Sequence, residues 1–332
     1  MQKKIIVTGG LGFIGTNLIS NLIKNKNYYV INIDSVTYAA SKLSLIKFSN
    51  AKNYKFIKMD ICNNKINNLI LEIKPYRLFH LAAESHVDNS IYEPNTFIKT
   101  NIFGTFNLLK ACNNYLNIKT NTNKNFKFIH VSTDEVYGSL SKNFPSSKEG
   151  DTYNPSSPYA SSKASSDYLV QSWNITYGFP SVITHCTNNY GPYQNLEKLI
   201  PLTIYKLIQK QKIPIYGNGL NSRDWLHVKD HVKALLKVSN KGVVGETYNI
   251  GSNNEISNIA LVKKICKIFD TKFSTKRKHE NYISFVKDRP GHDLRYCLNY
   301  NKIKKNLNYK PSINFSYGLK STVDWYLKLL LK

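Results

Sequence analysis

Lys3-Lys4-Ile5-Ile6-Val7-Thr8-Gly9-Gly10-Leu11-Gly12-Phe13-Ile14-Gly15 stands near the start of the chain and joins a strand to a helix through a glycine-rich turn. Ile5-Ile6-Val7 is a short β-branched run closed by glycines, the pattern of a buried strand. Beyond the glycines, Ile14, Leu18, Ile19, Leu22 and Ile23 recur at helical spacing. The glycines let the backbone turn tightly and approach a pyrophosphate, which then sits at the positive end of the helix. Asp34 ends a second strand-like run, Tyr29-Val30-Ile31-Asn32-Ile33-Asp34, about 20 residues further on. A carboxylate there accepts hydrogen bonds from both ribose hydroxyls and repels a 2′-phosphate, so the spacing predicts NAD in preference to NADP. Asp60-Ile61, closing a third strand, is placed to hold the adenine.

Working outward, strand signals at Tyr54-Lys55-Phe56-Ile57, Leu78-Phe79-His80-Leu81-Ala82, Phe126–Val131 and Ser181–Thr184 alternate with helical stretches at 63–73, 94–116 and 159–177. Such alternation means βαβ units and a doubly wound parallel sheet of Rossmann type. The polar segment 117–125 reads as a solvated loop. After about residue 180 the pattern loosens around Pro192, Pro201 and Pro214, with helical stretches near 198–211 and 256–269. The expected division is a Rossmann domain over 1–180 plus about 219–250, and a smaller C-terminal α/β substrate domain over about 181–218 and 251–332. Helix 94–116 is apolar around most of its circumference, which predicts burial on two sides, against the sheet and against a partner subunit in a homodimer.

The chain has 332 residues and a formal net charge of +25, a balance that invites a nucleic-acid reading. Only five of the 46 basic residues are arginine, and Lys, Asn, Ile and Tyr are abundant together, so the charge reads as a compositional drift of the surface with no nucleic-acid partner. No apolar run is long enough for a bilayer, and the strand at the start leaves no room for a signal peptide. Five scattered cysteines without C-x-x-C spacing suit reduced thiols in a cytoplasmic protein. His227 and His231 have helical ligand spacing without a third ligand, and Asp230 between them reads as a helix cap, so no metal is expected.

The chemistry lies in Val131-Ser132-Thr133-Asp134-Glu135-Val136-Tyr137-Gly138 and Tyr159-Ala160-Ser161-Ser162-Lys163. Tyr159 and Lys163 fall on one helix face, where the ammonium favours tyrosinate and suits the phenol to take a proton from a sugar hydroxyl. Asp134-Glu135 adds a second acid and base, as elimination of water requires. Adjacent strand residues point to opposite faces, so both serve one site only if the strand has ended there, as the Gly138 turn suggests.

With His80-Leu-Ala-Ala-Glu-Ser-His-Val-Asp88, Asn188-Asn189-Tyr-Gly-Pro-Tyr, Glu197-Lys198-Leu-Ile-Pro, Tyr-Gly-Asn-Gly-x-x-x-Arg223-Asp-Trp and Asp288-Arg289-Pro-Gly-His-Asp293, these motifs run through the chain in order. Together they resemble the dTDP-glucose 4,6-dehydratase family of the extended short-chain dehydrogenase/reductase superfamily. The resemblance implies a lyase that oxidises C4, eliminates water across C5 and C6 and returns hydride to C6, with tightly bound NAD regenerated in each turnover. It implies that Tyr159, with Lys163 and Thr133, removes the C4 hydroxyl proton, that Glu135 takes the C5 proton, and that Asp134 protonates the departing C6 hydroxyl.

For the cofactor it implies contacts from Gly9, Gly12, Phe13, Ile14, Gly15, Asp34, Ser35, Thr37, Asp60 and Ile61. Leu81, Ala82, Ala83, Ser85, Thr100, Tyr159, Lys163 and Asn189 complete that set. For the nucleotide sugar it implies Ser85, Thr133, Asn188, Lys198, Leu199, Arg223, Asn258, Arg289 and His292. Arg223 and Arg289 are expected to grip the pyrophosphate, whereas Arg77, Arg277 and Arg295 read as surface or structural. Asn195-Leu196 departs from the Phe-Pro common in the family, and Ala40-Ser41, after Tyr38-Ala39, stands where the family commonly has Gly-Asn. The competing readings are a CDP- or UDP-glucose dehydratase, a non-catalytic NAD-binding scaffold and a basic RNA-binding relative.

Overall fold

The computed structural model describes residues 2–118, 125–273 and 277–331; most of the loop expected at 117–125 lies outside them. Thirteen strands form among the described residues: β1 (Lys3–Thr8), β2 (Tyr28–Asp34), β3 (Tyr54–Lys58), β4 (Arg77–His80), β5 (Lys127–Thr133), β6 (Ser181–Cys186), β7 (Asn188–Tyr190), β8 (Ile213–Tyr216), β9 (Ser222–His227), β10 (Thr247–Ile250), β11 (Glu255–Ser257), β12 (Ile283–Val286) and β13 (Arg295–Tyr296). Seven of them make one wholly parallel sheet in the order β3-β2-β1-β4-β5-β6-β10. The order reverses between β1 and β4, which leaves a crevice at their carboxyl ends, the place where doubly wound sheets bind ligands.

Strand periodicity explains the two-sided core. Ile5 and Val7 pack with Val30, Phe79, Ile129 and Val182 on one face, while Ile6 between them joins Ile31, Ile33, Leu78 and Phe128 on the other. Helices Phe13–Leu22 and Val228–Lys241 cover the first face, and Ile66–Ile73, Gly104–Leu116 and Pro158–Tyr177 cover the second. Each such side chain, fully buried, contributes about 1.5–3 kcal/mol. A separate core gathers Ile200, Ile204, Trp225, Leu261, Ile265 and Val323 beneath β7, β9, β11 and β13, with β8 and β12 forming a short parallel pair.

The pairing moves three sequence boundaries. β6 sits inside the large sheet between β5 and β10, so that sheet runs to Cys186, past the expected break at 180. β9, expected in the Rossmann part, pairs with β7, β11 and β13. Ile303, Leu307 and Tyr309 return to the large-sheet core, so the chain beyond 251 is shared between the two layers.

The helical stretch 94–116 is Pro94–Phe97, a π-helical segment Ile98–Phe103 and Gly104–Leu116. The wider turn serves the buried Asn101, whose Oδ1 accepts from Glu84 N–H at 2.9 Å while its Nδ2 donates to Glu84 O at 3.0 Å and Ser162 Oγ at 2.8 Å. Phe97, Leu108, Leu109 and Tyr115 are buried, whereas Ile98 and Phe103 are 54% and 47% exposed, so the second apolar side is uncovered within the chain. Among the described residues no helix is long and apolar enough to cross a membrane.

Candidate active site

A cleft of about 530 Å³ lies across the carboxyl ends of the large sheet's strands. All the residues expected at the cofactor line it, from Gly9 through Asp34, Asp60, Ala82 and Thr100 to Asn189. Its floor is bare backbone for a steric reason. A Cβ on Gly9, whose φ is +69°, would lie 2.6 Å from Ala82 N, and one on Gly15 would lie 2.3 Å from Gly9 O. Helix Phe13–Leu22 starts from Gly12 with no acidic residue in its first turn, leaving its positive end open to an anion. Asp34 is fixed at the end of β2 by Leu11 N–H at 2.9 Å and Val36 N–H at 2.8 Å, with burial pushing its carboxyl up. A glycine cradle at a helix start beside an anchored carboxylate fits a dinucleotide with free ribose hydroxyls.

The acid–base set stands on the next wall. β5 ends at Thr133, and Asp134–Tyr137 makes a single 3₁₀ turn that brings Asp134 and Glu135 to the same cleft. Gly138 ends the turn at φ +77°, where a Cβ would meet Asn154 O at 2.1 Å. Helix Pro158–Tyr177 is started by Ser157, which accepts from Ala160 N–H at 3.1 Å, with Pro158 in its first turn. It presents Tyr159 and Lys163 to the cleft one turn apart.

Electrostatics separates the two carboxyls. Burial, then the neighbouring Glu135, pushes Asp134 up to about 8, so it is a neutral acid at pH 7. Its Oδ1 accepts from Thr133 Oγ1 at 3.3 Å, while Oδ2 is buried with no hydrogen-bond partner among the described residues. Burial also raises Glu135, but Arg289, Arg223 and Lys198 oppose that rise. Tyr159 departs from the sequence expectation. Burial, then the charge of Glu135, pushes the phenol well above its ordinary range, and the hydrogen bond with Thr133 opposes this only in part. Lys163 meanwhile donates to Val131 O at 3.0 Å. The phenol is therefore protonated at rest, and tyrosinate at neutral pH is not what the protein alone provides.

Of the residues expected at the nucleotide sugar, Ser85, Thr133, Asn188 and Lys198 line the cleft, and Lys198 Nζ donates to Ser85 O at 3.0 Å. The others lie outside its lining. Arg223 is buried, donates to the carbonyls of Ser222 (2.8 Å) and Asp293 (3.0 Å), and lies 4.4 Å over the Tyr296 ring. Arg289 Nη1 is paired with Asp88 Oδ1 at 2.8 Å, and its Nε is buried with no hydrogen-bond partner among the described residues. His292 Nδ1 lies 2.6 Å from Asp288 Oδ1. Leu199 and Asn258 each begin a helix, Asn258 donating its N–H to Asn221 O at 3.0 Å.

Asp230 also departs from its reading as a cap: it accepts from Ser312 N–H at 3.0 Å and Ile313 N–H at 2.8 Å, while His227 takes the cap position. His231 Nδ1 lies 3.0 Å from Asn189 Oδ1 and so orients that residue. Residues absent from the expectation also line the cleft, among them Cys186 and Thr187 at the end of β6, and Lys99. The carboxyl-end rule for parallel sheets was the available signal for the first two; Lys99 carried none.

Comparison with known proteins supports the same reading. A family model described as GDP-mannose 4,6 dehydratase matches residues 6–322. A dTDP-glucose 4,6-dehydratase from Haemophilus influenzae is 49% identical over 332 residues, covering 98% of each chain. Among solved structures, the dTDP-glucose 4,6-dehydratase of Streptomyces venezuelae with NAD and TYD bound superposes with a TM-score of 0.90 at 37% identity, over 98% of this chain and 97% of that one. The Bacillus anthracis enzyme in complex with NAD gives 0.86 at 39% identity, over 98% and 97%. Identity of this extent along the whole chain, on the same fold, is that of common membership: the chain belongs to the dTDP-glucose 4,6-dehydratase family.

Proposed function

We propose that the protein is an NAD-dependent hydro-lyase that converts dTDP-glucose to dTDP-4-dehydro-6-deoxyglucose and water. The observation that carries this reading is one cleft holding a dinucleotide cradle, a Tyr/Lys pair and two adjacent buried carboxyls, one of them pushed up to about 8. NAD, when bound, supplies the redox chemistry, accepting hydride from C4 and returning it to C6.

The chain's residues handle the protons. Tyr159, having first released its resting proton to solvent, takes the proton of the C4 hydroxyl, its oxygen held by Thr133, and Lys163 supplies positive charge one turn away. The C4 ketone acidifies C5, whose proton passes to Glu135. Asp134, neutral at pH 7, gives its proton to the C6 hydroxyl as it leaves as water. Glu135, its proton exchanged with solvent, then returns a proton to C5 as C6 is reduced.

At the far end, Lys198, Asn188 and Ser85 hold the hexose and diphosphate, and Arg289 joins them on giving up Asp88. The layer built on β7, β9, β11 and β13 serves as the nucleotide-sugar part. A homodimer covers the exposed Ile98 and Phe103, together with Tyr168 and Ile175 of the neighbouring helix. Five free thiols suit a cytoplasmic enzyme.

The reading is tested by incubating the protein separately with dTDP-glucose, CDP-glucose, UDP-glucose and GDP-mannose and following keto-sugar formation. Turnover of dTDP-glucose at least tenfold above the others is expected. A preference for another base would reassign the substrate, and no turnover of any would reduce the protein to a binding scaffold. Sedimentation at micromolar concentration checks the dimer, and a monomer would contradict it.

A further inference from the structure

Behind the catalytic wall lies a cluster of buried groups that the reaction does not touch. His130 (β5), His185 (β6) and Asp167 (helix Pro158–Tyr177) are all fully buried. Asp167 Oδ2 accepts from Ser132 Oγ at 2.8 Å and lies 2.9 Å from His185 Nε2, and Oδ1 lies 3.0 Å from His130 Nε2. His185 is held in turn by Tyr137 Oη at 3.0 Å and Tyr153 Oη at 3.0 Å. A carboxylate sealed from water is costly unless it is paired, so its neighbours matter. Asp167 stands four residues beyond Lys163, one turn along the same face.

We infer that Asp167 is a positioning residue for the C4 oxidation: it pins the end of β5 to the helix carrying Tyr159, and it is the counter-charge that keeps Lys163 an ammonium inside the protein. The inference rests on the dehydratase reading above. Pinning follows from the chain order, because Ser132, which donates to Asp167, immediately precedes Thr133, which holds the Tyr159 phenol. The other groups that feel the charge of Lys163 leave Asp167 as its counter-charge: His130 on β5, His80 on β4 and Cys186 at the end of β6 each feel its charge, and Tyr159 shares its cleft. Burial pushes His130 down to about 4 and His80 well below its ordinary range, and it pushes the Cys186 thiol up to about 12, so all three are uncharged at pH 7. Burial pulls Lys163 down, and among the groups that oppose this Asp167 acts most strongly. Against the rise from burial, the flanking His130 and His185 hold Asp167 itself far below the usual carboxylate range.

The test is single-turnover reduction of the enzyme-bound NAD by dTDP-glucose across pH, in the wild type and in Asp167→Asn. Without Asp167 the ammonium is lost at lower pH and tyrosinate becomes harder to form. The limb on which oxidation rises with pH should therefore shift upward by about one unit, slowing the step about tenfold at pH 7 and recovering at higher pH. A limb in the wild-type position, whatever the loss of rate, would overturn the charge role.

Thermal unfolding supplies a readout apart from activity. The deficit of Asp167→Asn should be full at pH 6–8 and narrow below about pH 4, where the unfolded-state carboxylate is protonated and the native advantage fades. A deficit independent of pH would contradict an ionised Asp167. Should Asp167→Asn not fold, Ser132→Ala tests the pinning: a three- to tenfold slower oxidation with an unmoved pH limb is expected, and an unchanged rate would overturn it. A wild type that does not reduce its cofactor with dTDP-glucose would instead indict the substrate assignment.

Discussion

At the dinucleotide end of the cleft, Gly9, Gly12 and Gly15 leave bare backbone at a helix start, and Asp34 is held by two backbone N–H groups. At the arginine end, Arg223 is committed to backbone carbonyls and a tyrosine ring, and Arg289 already holds Asp88. The first end is preformed: a ligand meets groups with nothing to rearrange. The second must exchange an internal partner for a phosphate, so ordering and desolvation reduce what each contact contributes to affinity. This difference suits an enzyme that keeps its cofactor through every turnover and releases its sugar nucleotide after each one.

The largest effects should arise on the wall where the two ends meet. Tyr159→Phe removes the base for the C4 hydroxyl and should lower kcat about 10³-fold while leaving bound NAD in place; loss of cofactor together with activity would mean that the phenol belongs to the preformed end. Asp134→Asn should slow elimination about 10²-fold and spare the first oxidation, so that reduced cofactor accumulates in a stopped-flow trace. Equal loss of both steps would remove the acid role from Asp134.

The wild type supplies a pH counterpart. Asp134 acts in its protonated form and titrates near 8, so elimination should fall about tenfold per unit above that pH. C4 oxidation, which needs a proton to leave the raised Tyr159, should instead quicken with pH.

Gly9→Ala sharpens the contrast from the preformed side. Its Cβ would press on Ala82 N at 2.6 Å from a positive-φ position, so about 1–3 kcal/mol of stability and most of the bound cofactor should be lost, as read by thermal unfolding and absorbance after gel filtration. The smallest effect is expected at the arginine end. Asp88→Asn weakens the hold on Arg289, and KM for dTDP-glucose should fall about threefold with kcat unchanged. A rise in KM would mean that Asp88 positions Arg289 and does not compete with the substrate.

This asymmetry also explains what the sequence disclosed. The part of the cofactor end from Gly9 to Asp34 is local, because strand, glycines, helix and a carboxylate at fixed spacing are one supersecondary unit; the residues from Leu81 to Asn189 were legible only through the resemblance of motifs along the chain, and all of them line the cleft. Thr133-Asp134-Glu135 was equally legible, because the end of β5 is written as a turn at Gly138. The arginine end depends on contacts far apart in sequence, Arg289 with Asp88 and Arg223 with Asp293, which no local pattern encodes. The same holds for the direction of Tyr159's acidity, since helical spacing gave the Lys163 neighbour but not the burial or the facing Glu135. The domain boundary at 180 failed because a loosening pattern marks irregular chain, whereas membership of a sheet is decided by hydrogen bonds to β5 and β10.

The central claim, that a preformed dinucleotide end retains its cofactor while Tyr159, Asp134 and Glu135 complete an oxidation, an elimination and a reduction, is tested most directly by incubating the purified protein with dTDP-glucose in deuterated water without added NAD. A 4-keto-6-deoxy product carrying one deuterium at C5 is expected, seen by NMR and mass spectrometry. A product without deuterium at C5, or turnover only when NAD is supplied throughout, would contradict it.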